Sequence, residues 1–426
     1  MNSPIWMPYT QMKSAPAPLR VRSARGAMLE LEDGRQVLDC ISSWWVTLHG
    51  HAQPEIAAAI AAQAGELEQV IAAGFTHAPA EALARRLVGR LPLLPRVFYS
   101  DNGSTAVEVA LKMAFQYWRN QGAPGRRRFL SLEGAYHGDT LGAMSLSSRS
   151  LFTEAFADLL FPVDFIPFPQ TWAADEGVEE REAEALGYLE ALLERQGEEY
   201  AAMILEPLVQ GAAGMRMCRP SFLRAVEGLL RQRGILMVYD EVMTGFGRTG
   251  TFFACQQAGT QPDILCLAKG LSGGFLPLAA TLCAEEIYRG FCSDDARHTL
   301  YHGHSFTANP LGCAAALASL DLLEAQAHRF AQLEEWHRQE LAGLAGHPHL
   351  CRLRVCGTIA AMEVEGAAGY LHEVGPRLKQ RFLDRGFLLR PLGGVIYILP
   401  PYCLERAELA ATYRCIAEVV AEVLSS

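Results

Sequence analysis

Between Ile235 and Gly274 the chain reads ILMVYDEVMTGFGRTGTFFACQQAGTQPDILCLAKGLSGG, and two apolar runs in it each stop at a charge. The first ends at Asp240-Glu241, the second at Lys269. Runs of four or five apolar, partly β-branched residues bounded by Gly and Pro predict buried strands, which sets both charges at the mouth of a sheet. A lysine beside an apolar wall loses its proton readily and then attacks carbonyl carbon, while an aspartate one crossover away is placed to hold a protonated ring nitrogen.

From about residue 50 to 310 helical and strand patterns alternate. Helices are predicted at Ala57 to Val70, Thr105 to Arg119 and Ser221 to Arg233. Strands are predicted at Val97 to Ser100, Arg128 to Leu132, Met203 to Leu205, Leu236 to Tyr239, Ile264 to Ala268 and Ala279 to Cys283. Alternation of this kind predicts an α/β fold, a mostly parallel sheet with helices on both faces. After Asn309-Pro310 an Ala/Leu-rich helical stretch runs to about Leu344, followed by short strands at Leu353 to Val355, Ile359 to Val364 and Val395 to Leu399. The expected division is a large domain over 50–310 and a smaller α+β domain built from 1–49 and 311–426. Trp172 to Glu182, acidic and Gly-containing, reads as a surface excursion without chemistry.

With 426 residues, half of them hydrophobic, the chain can bury a large core. A net charge of -10, with no basic block beyond Arg126-Arg127-Arg128, argues against a nucleic-acid partner. No apolar stretch approaches the roughly 20 residues of a membrane helix, and MNSPIWMPYT lacks the regions of a secretory signal. The 11 cysteines are scattered singly, as Cys40, Cys218, Cys255, Cys266 and Cys283 illustrate, which favours buried free thiols over a metal site. A cytoplasmic location is expected from both features.

Ser100-Asp101-Asn102-Gly103-Ser104-Thr105 follows a strand and opens a helix, a cradle for an anion such as phosphate or simply a helix cap. Combined with Asp240 and Lys269 it points to pyridoxal phosphate. Tyr136, in AYHGDT after the next strand, either stacks on a planar ring or packs as a loop tyrosine. Glu206, ending the run MIL, is a third charge at a strand mouth that could orient a neighbour. Arg390 sits between apolar residues, suited to grip a carboxylate in a bidentate fork or to form a salt bridge within its own lobe. Tyr9 and Trp44-Trp45 are aromatics able to wall a pocket or fill a core.

Taken together, DEVMTGFGRTG and PDILCLAKGLSGG resemble the central signature of class III, fold-type-I pyridoxal phosphate aminotransferases, and the likeness extends over essentially the whole chain. Within that class, PYTQM, SSWW at 42–45, AYHGDT at 135–140, EPLVQGAAGM at 206–215 and RPLGGVIYILPPY at 390–402 resemble the branch that makes 7,8-diaminononanoate for biotin. Where many members carry a glutamate in a QGEAG-like segment that pairs with the active-site arginine, this chain has Gln210-Gly211-Ala212-Ala213, leaving Arg390 free for a carboxylate. Gly303-His304-Ser305 stands where that branch commonly has Gly-Pro-Thr, keeping the hydroxyl and losing the proline.

The resemblance implies an amino group taken from S-adenosylmethionine, held as pyridoxamine phosphate, and passed to 8-amino-7-oxononanoate. Lys269 would bond the cofactor and move protons, with Asp240 on the pyridine nitrogen, Val242 and Tyr136 on the two ring faces, and Gly103 and Ser104 on the phosphate. Ser305 would close that phosphate site from the partner subunit, which implies a homodimer with shared sites. Tyr9, Trp44, Tyr136 and Gly303 would line the substrate pocket, Tyr9 at the chemistry itself, with Arg390 on a carboxylate and Arg248 as a further substrate-site residue. Lysine as donor, an ω-amino acid or diamine transaminase, and an aminomutase remain the alternatives.

Overall fold

Seven strands form the central sheet of the computed structural model, which describes residues 4–367 and 369–425. Their order is Arg96–Ser100, Ala279–Cys283, Ile264–Leu267, Leu236–Asp240, Tyr200–Leu205, Arg128–Leu132 and Asp164–Ile166. Ala279–Cys283 runs antiparallel to both neighbours, and every other pairing in the sheet is parallel. Tyr200–Leu205, Ile264–Leu267 and Ala279–Cys283 are buried along their whole length, as strands covered on both faces must be.

Alternate side chains divide between two cores. Val238, Ile264, Cys266 and Ala279 meet Val107, Ala110 and Ala114 of the helix Gly103–Asn120, whereas Tyr239, Leu265 and Leu267 join the cluster holding Leu189 of Val178–Gln196 and Phe222 of Pro220–Gln232. This period of two is what the pleat imposes. The five scattered cysteines singled out in the sequence are all buried and unpaired.

The two ends of the chain share a second sheet. Val21–Arg25, Met28–Leu31 and Gln36–Asp39 form an antiparallel meander, and Phe387–Leu388 adds to it parallel to Gln36–Asp39, pairing Asp39 with Leu388. Two parallel strands leave a sheet at the same edge, so Ser42–Trp45 and Arg390 emerge side by side. A three-stranded antiparallel sheet of Leu350–Cys356, Ile359–Val364 and Val395–Ile398 lies beyond them.

Three expectations change. The helix expected to reach Val70 spans Pro54–Ala64 and is capped at Gly65, whose N–H turns back to Ala62. The stretch after Pro310 is two helices, Pro310–Ala325 and His328–Leu344. Trp172 to Glu182 is only partly an excursion, since Val178 begins a helix that buries Leu189, Leu192 and Leu193 on the sheet. Arg126 and Arg128 face Glu198 and Asp164, so the basic triplet is largely neutralised locally. No helix among the described residues is long and apolar enough to cross a membrane.

Candidate active site

Asp240 is the last residue of its strand, and Lys269 stands two residues past the end of the next strand, so parallel pairing delivers both to one sheet edge. Asp240 is 5% exposed; its Oδ2 stands 2.8 Å from His137 Nδ1, and its Oδ1 accepts the Val242 N–H at 3.1 Å. His137 is itself fixed, donating its backbone N–H to Ser147 Oγ at 2.9 Å. Lys269 has a left-handed φ of 44°, a strained setting for a side chain with a Cβ, and its Nζ lies 4.5 Å from the centroid of Trp45. Although it touches the cavity, Lys269 lies deep enough that burial brings its ammonium down to about 8, against the opposing pull of Asp240 and Glu206.

Glu206 joins the walls. One carboxylate oxygen accepts the Tyr136 N–H at 3.1 Å and the other the Gly211 N–H at 3.0 Å. Burial, with the Asp240 charge adding to it, pushes this carboxyl up to about 7.

These groups line a cavity of about 500 Å³ that also takes in Gly103, Ser104, Tyr136 and Val242. Gly103 opens the helix Gly103–Asn120, and Asn102 caps it by accepting the Thr105 N–H, which leaves the N–H groups of Gly103 and Ser104 without intrahelical acceptors. A Cβ on Gly103 would come within 2.7 Å of Val242, and one on Gly138 within 2.1 Å of Ser104 Oγ, so two glycines keep the cradle open. A dianion at a helix N-terminus, an aromatic ring between Tyr136 and Val242, an acid at a ring nitrogen and a buried amine are the demands of pyridoxal phosphate, and the residues present fit them.

A second cavity of about 750 Å³ adjoins the first, sharing Lys269, Tyr136 and Trp45 with it and adding Tyr9, Trp44 and Arg390. Tyr9 Oη stands 3.2 Å from Tyr136 Oη and donates to the Asp139 carboxylate. Burial and the Asp139 bond raise the Tyr9 phenol to about 12, so it is a proton-bearing donor. The Arg390 guanidinium lies 4.8 Å from the Trp44 ring and makes no ion pair among the described residues, which leaves its fork open to the cavity.

Three predicted residues fall elsewhere. Arg248 is 1% exposed and lines neither cavity; it donates to Pro400 O at 2.7 Å, and its own carbonyl accepts the Thr358 N–H, which makes it part of the frame between the two sheets. Gly303 and Ser305 lie on an exposed loop away from both cavities of this chain, with Ser305 O accepting from Gln69 Nε2 at 2.9 Å. His304, in place of the proline, keeps a turn closed through reciprocal bonds with Thr307.

The site also holds residues that sequence reasoning left out. His137, Phe152 and Tyr370 belong to it: Phe152 packs 5.7 Å from Tyr9 and 4.8 Å from Tyr370. His137 was adjacent to a named residue, and a histidine beside a ring-stacking tyrosine was the available signal. Phe152 and Tyr370 gave none, because one sits on a single helical turn, Leu151–Glu154, and the other in a turn.

The sequence matches the aminotransferase class-III family over residues 9–420. It is 56% identical over 421 residues, 98% of this chain and 99% of the other, to the adenosylmethionine-8-amino-7-oxononanoate aminotransferase of Synechococcus elongatus. Among solved structures, the adenosylmethionine-8-amino-7-oxononanoate aminotransferase of Methanocaldococcus jannaschii superposes with a TM-score of 0.91 at 35% identity, covering 98% of this chain and 97% of that one. The omega transaminase of Pseudomonas jessenii, solved in complex with PMP, gives 0.92 at 26% identity over 99% and 96%. Fold alone therefore does not separate the branches, whereas the full-length identity places the chain: it belongs to the class-III aminotransferase family.

Proposed function

We propose that this chain transfers the amino group of S-adenosylmethionine to 8-amino-7-oxononanoate, forming 7,8-diaminononanoate, with pyridoxal phosphate as cofactor. The observation that carries the reading is a pair of cavities that share the buried amine Lys269, the second of them aromatic-walled and bearing a guanidinium, Arg390, that makes no ion pair among the described residues. An acceptor that is apolar along its length and anionic at one end matches that space, and the names of the full-length relatives point to the same pair of substrates.

Lys269 would bond the cofactor, Asp240 would keep its ring nitrogen protonated, Tyr136 and Val242 would hold its faces, and the Gly103 and Ser104 amides would take its phosphate. The bound cofactor supplies an electron sink for the pair left when the donor's α-proton departs. Lys269 Nζ, once the donor amine has taken its place on the cofactor, would be the base for that proton: with its ammonium near 8, an appreciable fraction of the freed amine is neutral at physiological pH, where an ordinary lysine has almost none. Tyr9 and Trp44 exclude water and orient the amine, and Arg390 takes a substrate carboxylate by a bidentate fork.

A homodimer is part of the proposal. Ile71, Phe75, Tyr301 and Phe306 are 64%, 63%, 73% and 62% exposed, on two segments tied together by the Gln69–Ser305 and His77–Ala308 contacts. An apolar face of this kind, around Ser305, suits a second copy of the chain and brings that hydroxyl toward the partner's phosphate. The free thiols agree with a cytoplasmic setting.

The donor is tested by giving the cofactor-loaded protein S-adenosylmethionine or lysine alone and measuring pyridoxamine phosphate by mass spectrometry. Conversion by S-adenosylmethionine is expected. Conversion by lysine only would overturn the assignment.

A further inference from the structure

Three of the four residues Ser42, Ser43, Trp44 and Trp45 sit in the left-handed region, with φ of 51° at Ser42, 59° at Ser43 and 67° at Trp45. None is a glycine, so the turn needs an external hold. Both of its indoles face the functional space. Trp45 lies 4.5 Å from Lys269 Nζ, donates its indole N–H to Tyr397 Oη at 3.1 Å, and packs so closely on Gly211 that a Cβ there would come within 3.1 Å of the ring. Trp44 stacks with Arg390 at 4.8 Å and with Tyr9 at 5.7 Å.

One carboxylate gathers the turn. Asp39 is completely buried; its Oδ1 accepts the Ile41 N–H at 3.1 Å, and its Oδ2 accepts the Ser43 N–H at 2.7 Å and stands 2.9 Å from His51 Nε2. Asp39 is in turn fixed by pairing with Leu388, two residues before Arg390. The same side chain thus sets the turn bearing the tryptophans and lies on the strand paired with the segment bearing the arginine.

We infer that Asp39 is a positioning residue: through the strained Ser42–Trp45 turn it sets Trp45 against the Lys269 amine and Trp44 against Arg390. The inference rests on the proposed roles of Lys269 and Arg390. In Asp39→Asn the amide nitrogen must face a backbone N–H in either flip, because each carboxylate oxygen accepts a backbone N–H, Ile41 on one and Ser43 on the other. The turn then relaxes, Trp45 shifts, and water reaches the lysine.

The test is a double-mutant cycle on the full-length, cofactor-loaded protein: Asp39→Asn alone, and in a Trp44→Leu/Trp45→Leu background. Asp39→Asn is expected to lower kcat/KM for the amine donor by about 10- to 100-fold, the effect of one disrupted buried hydrogen bond to a charged group. In the background lacking Trp44 and Trp45 the same substitution should cost less than about threefold. A second readout needs no substrate: in cofactor-free protein, the pH midpoint for modification of Lys269 by an amine reagent, followed by mass spectrometry, should rise from about 8 in Asp39→Asn. If the wild type fails to use the proposed donor, that readout still decides the role of Asp39. Equal losses in both backgrounds with an unmoved Lys269 midpoint would overturn the inference and leave Asp39 as a fold-stabilising residue. If Asp39→Asn does not fold, His51→Ala removes one tie of the carboxylate and must show the same dependence on the tryptophans, at a smaller size, for the inference to stand.

Discussion

His137 Nδ1 stands 2.8 Å from Asp240 Oδ2 with both side chains buried, so the carboxylate facing the cofactor cavity is anchored from behind by an imidazole. Removing the charge while keeping the shape, Asp240→Asn, should lower turnover by roughly 10²- to 10⁴-fold, because a neutral amide no longer holds a proton on the ring nitrogen. His137→Phe leaves the carboxylate in place without its partner and should cost about tenfold. Steady-state kcat of the two variants checks the order; equal losses would show that the imidazole, too, is indispensable.

Gly103→Ala tests the cradle. The added methyl would come within 2.7 Å of Val242, a wall of the cofactor cavity, so either the valine or the helix N-terminus must move. Affinity for pyridoxal phosphate should fall by at least about tenfold with little change in thermal stability, read by absorbance titration of the cofactor-free protein.

Arg390→Ala removes the guanidinium stacked on Trp44, which makes no ion pair among the described residues. The KM of the carboxylate-bearing acceptor should rise by about 10- to 100-fold, matching the loss of charge-assisted hydrogen bonds. Arg390→Lys should recover only part of it, since an ammonium cannot make the planar fork. Initial rates against acceptor concentration give both values.

Burial holds the Lys269 ammonium near 8, well below an ordinary lysine. The neutral, attacking amine therefore accumulates as pH rises through 8 and is fully present above it. The rate of pyridoxal phosphate incorporation into cofactor-free protein should climb with pH and level off above about 9. A rate still rising near pH 10.5, where exposed lysines titrate, would contradict the burial that the cavity imposes.

Much of this site was legible because strands end in charges. Asp240 and Lys269 announced themselves at the ends of apolar runs, and the glycine-bearing cap at Asn102-Gly103 followed from strand-to-helix punctuation. Trp44 and Arg390 were named separately from motifs, but their contact depends on the parallel pairing of Asp39 with Leu388, a register between segments some 350 residues apart that no local pattern encodes. Trp45 shows the limit most clearly. Local sequence gives two adjacent tryptophans; only the left-handed turn at Ser42 and Ser43 turns the second toward the lysine. Arg248 shows the converse, a motif arginine whose burial under Tyr402 and Pro400 sets it in the frame.

The most direct measurement is product formation. Cofactor-loaded protein given S-adenosylmethionine and 8-amino-7-oxononanoate should yield 7,8-diaminononanoate, with Lys269→Ala folded and at least about 10⁴-fold slower. Diaminononanoate formed at near-normal rate by Lys269→Ala, or none formed by the wild type, would contradict the account.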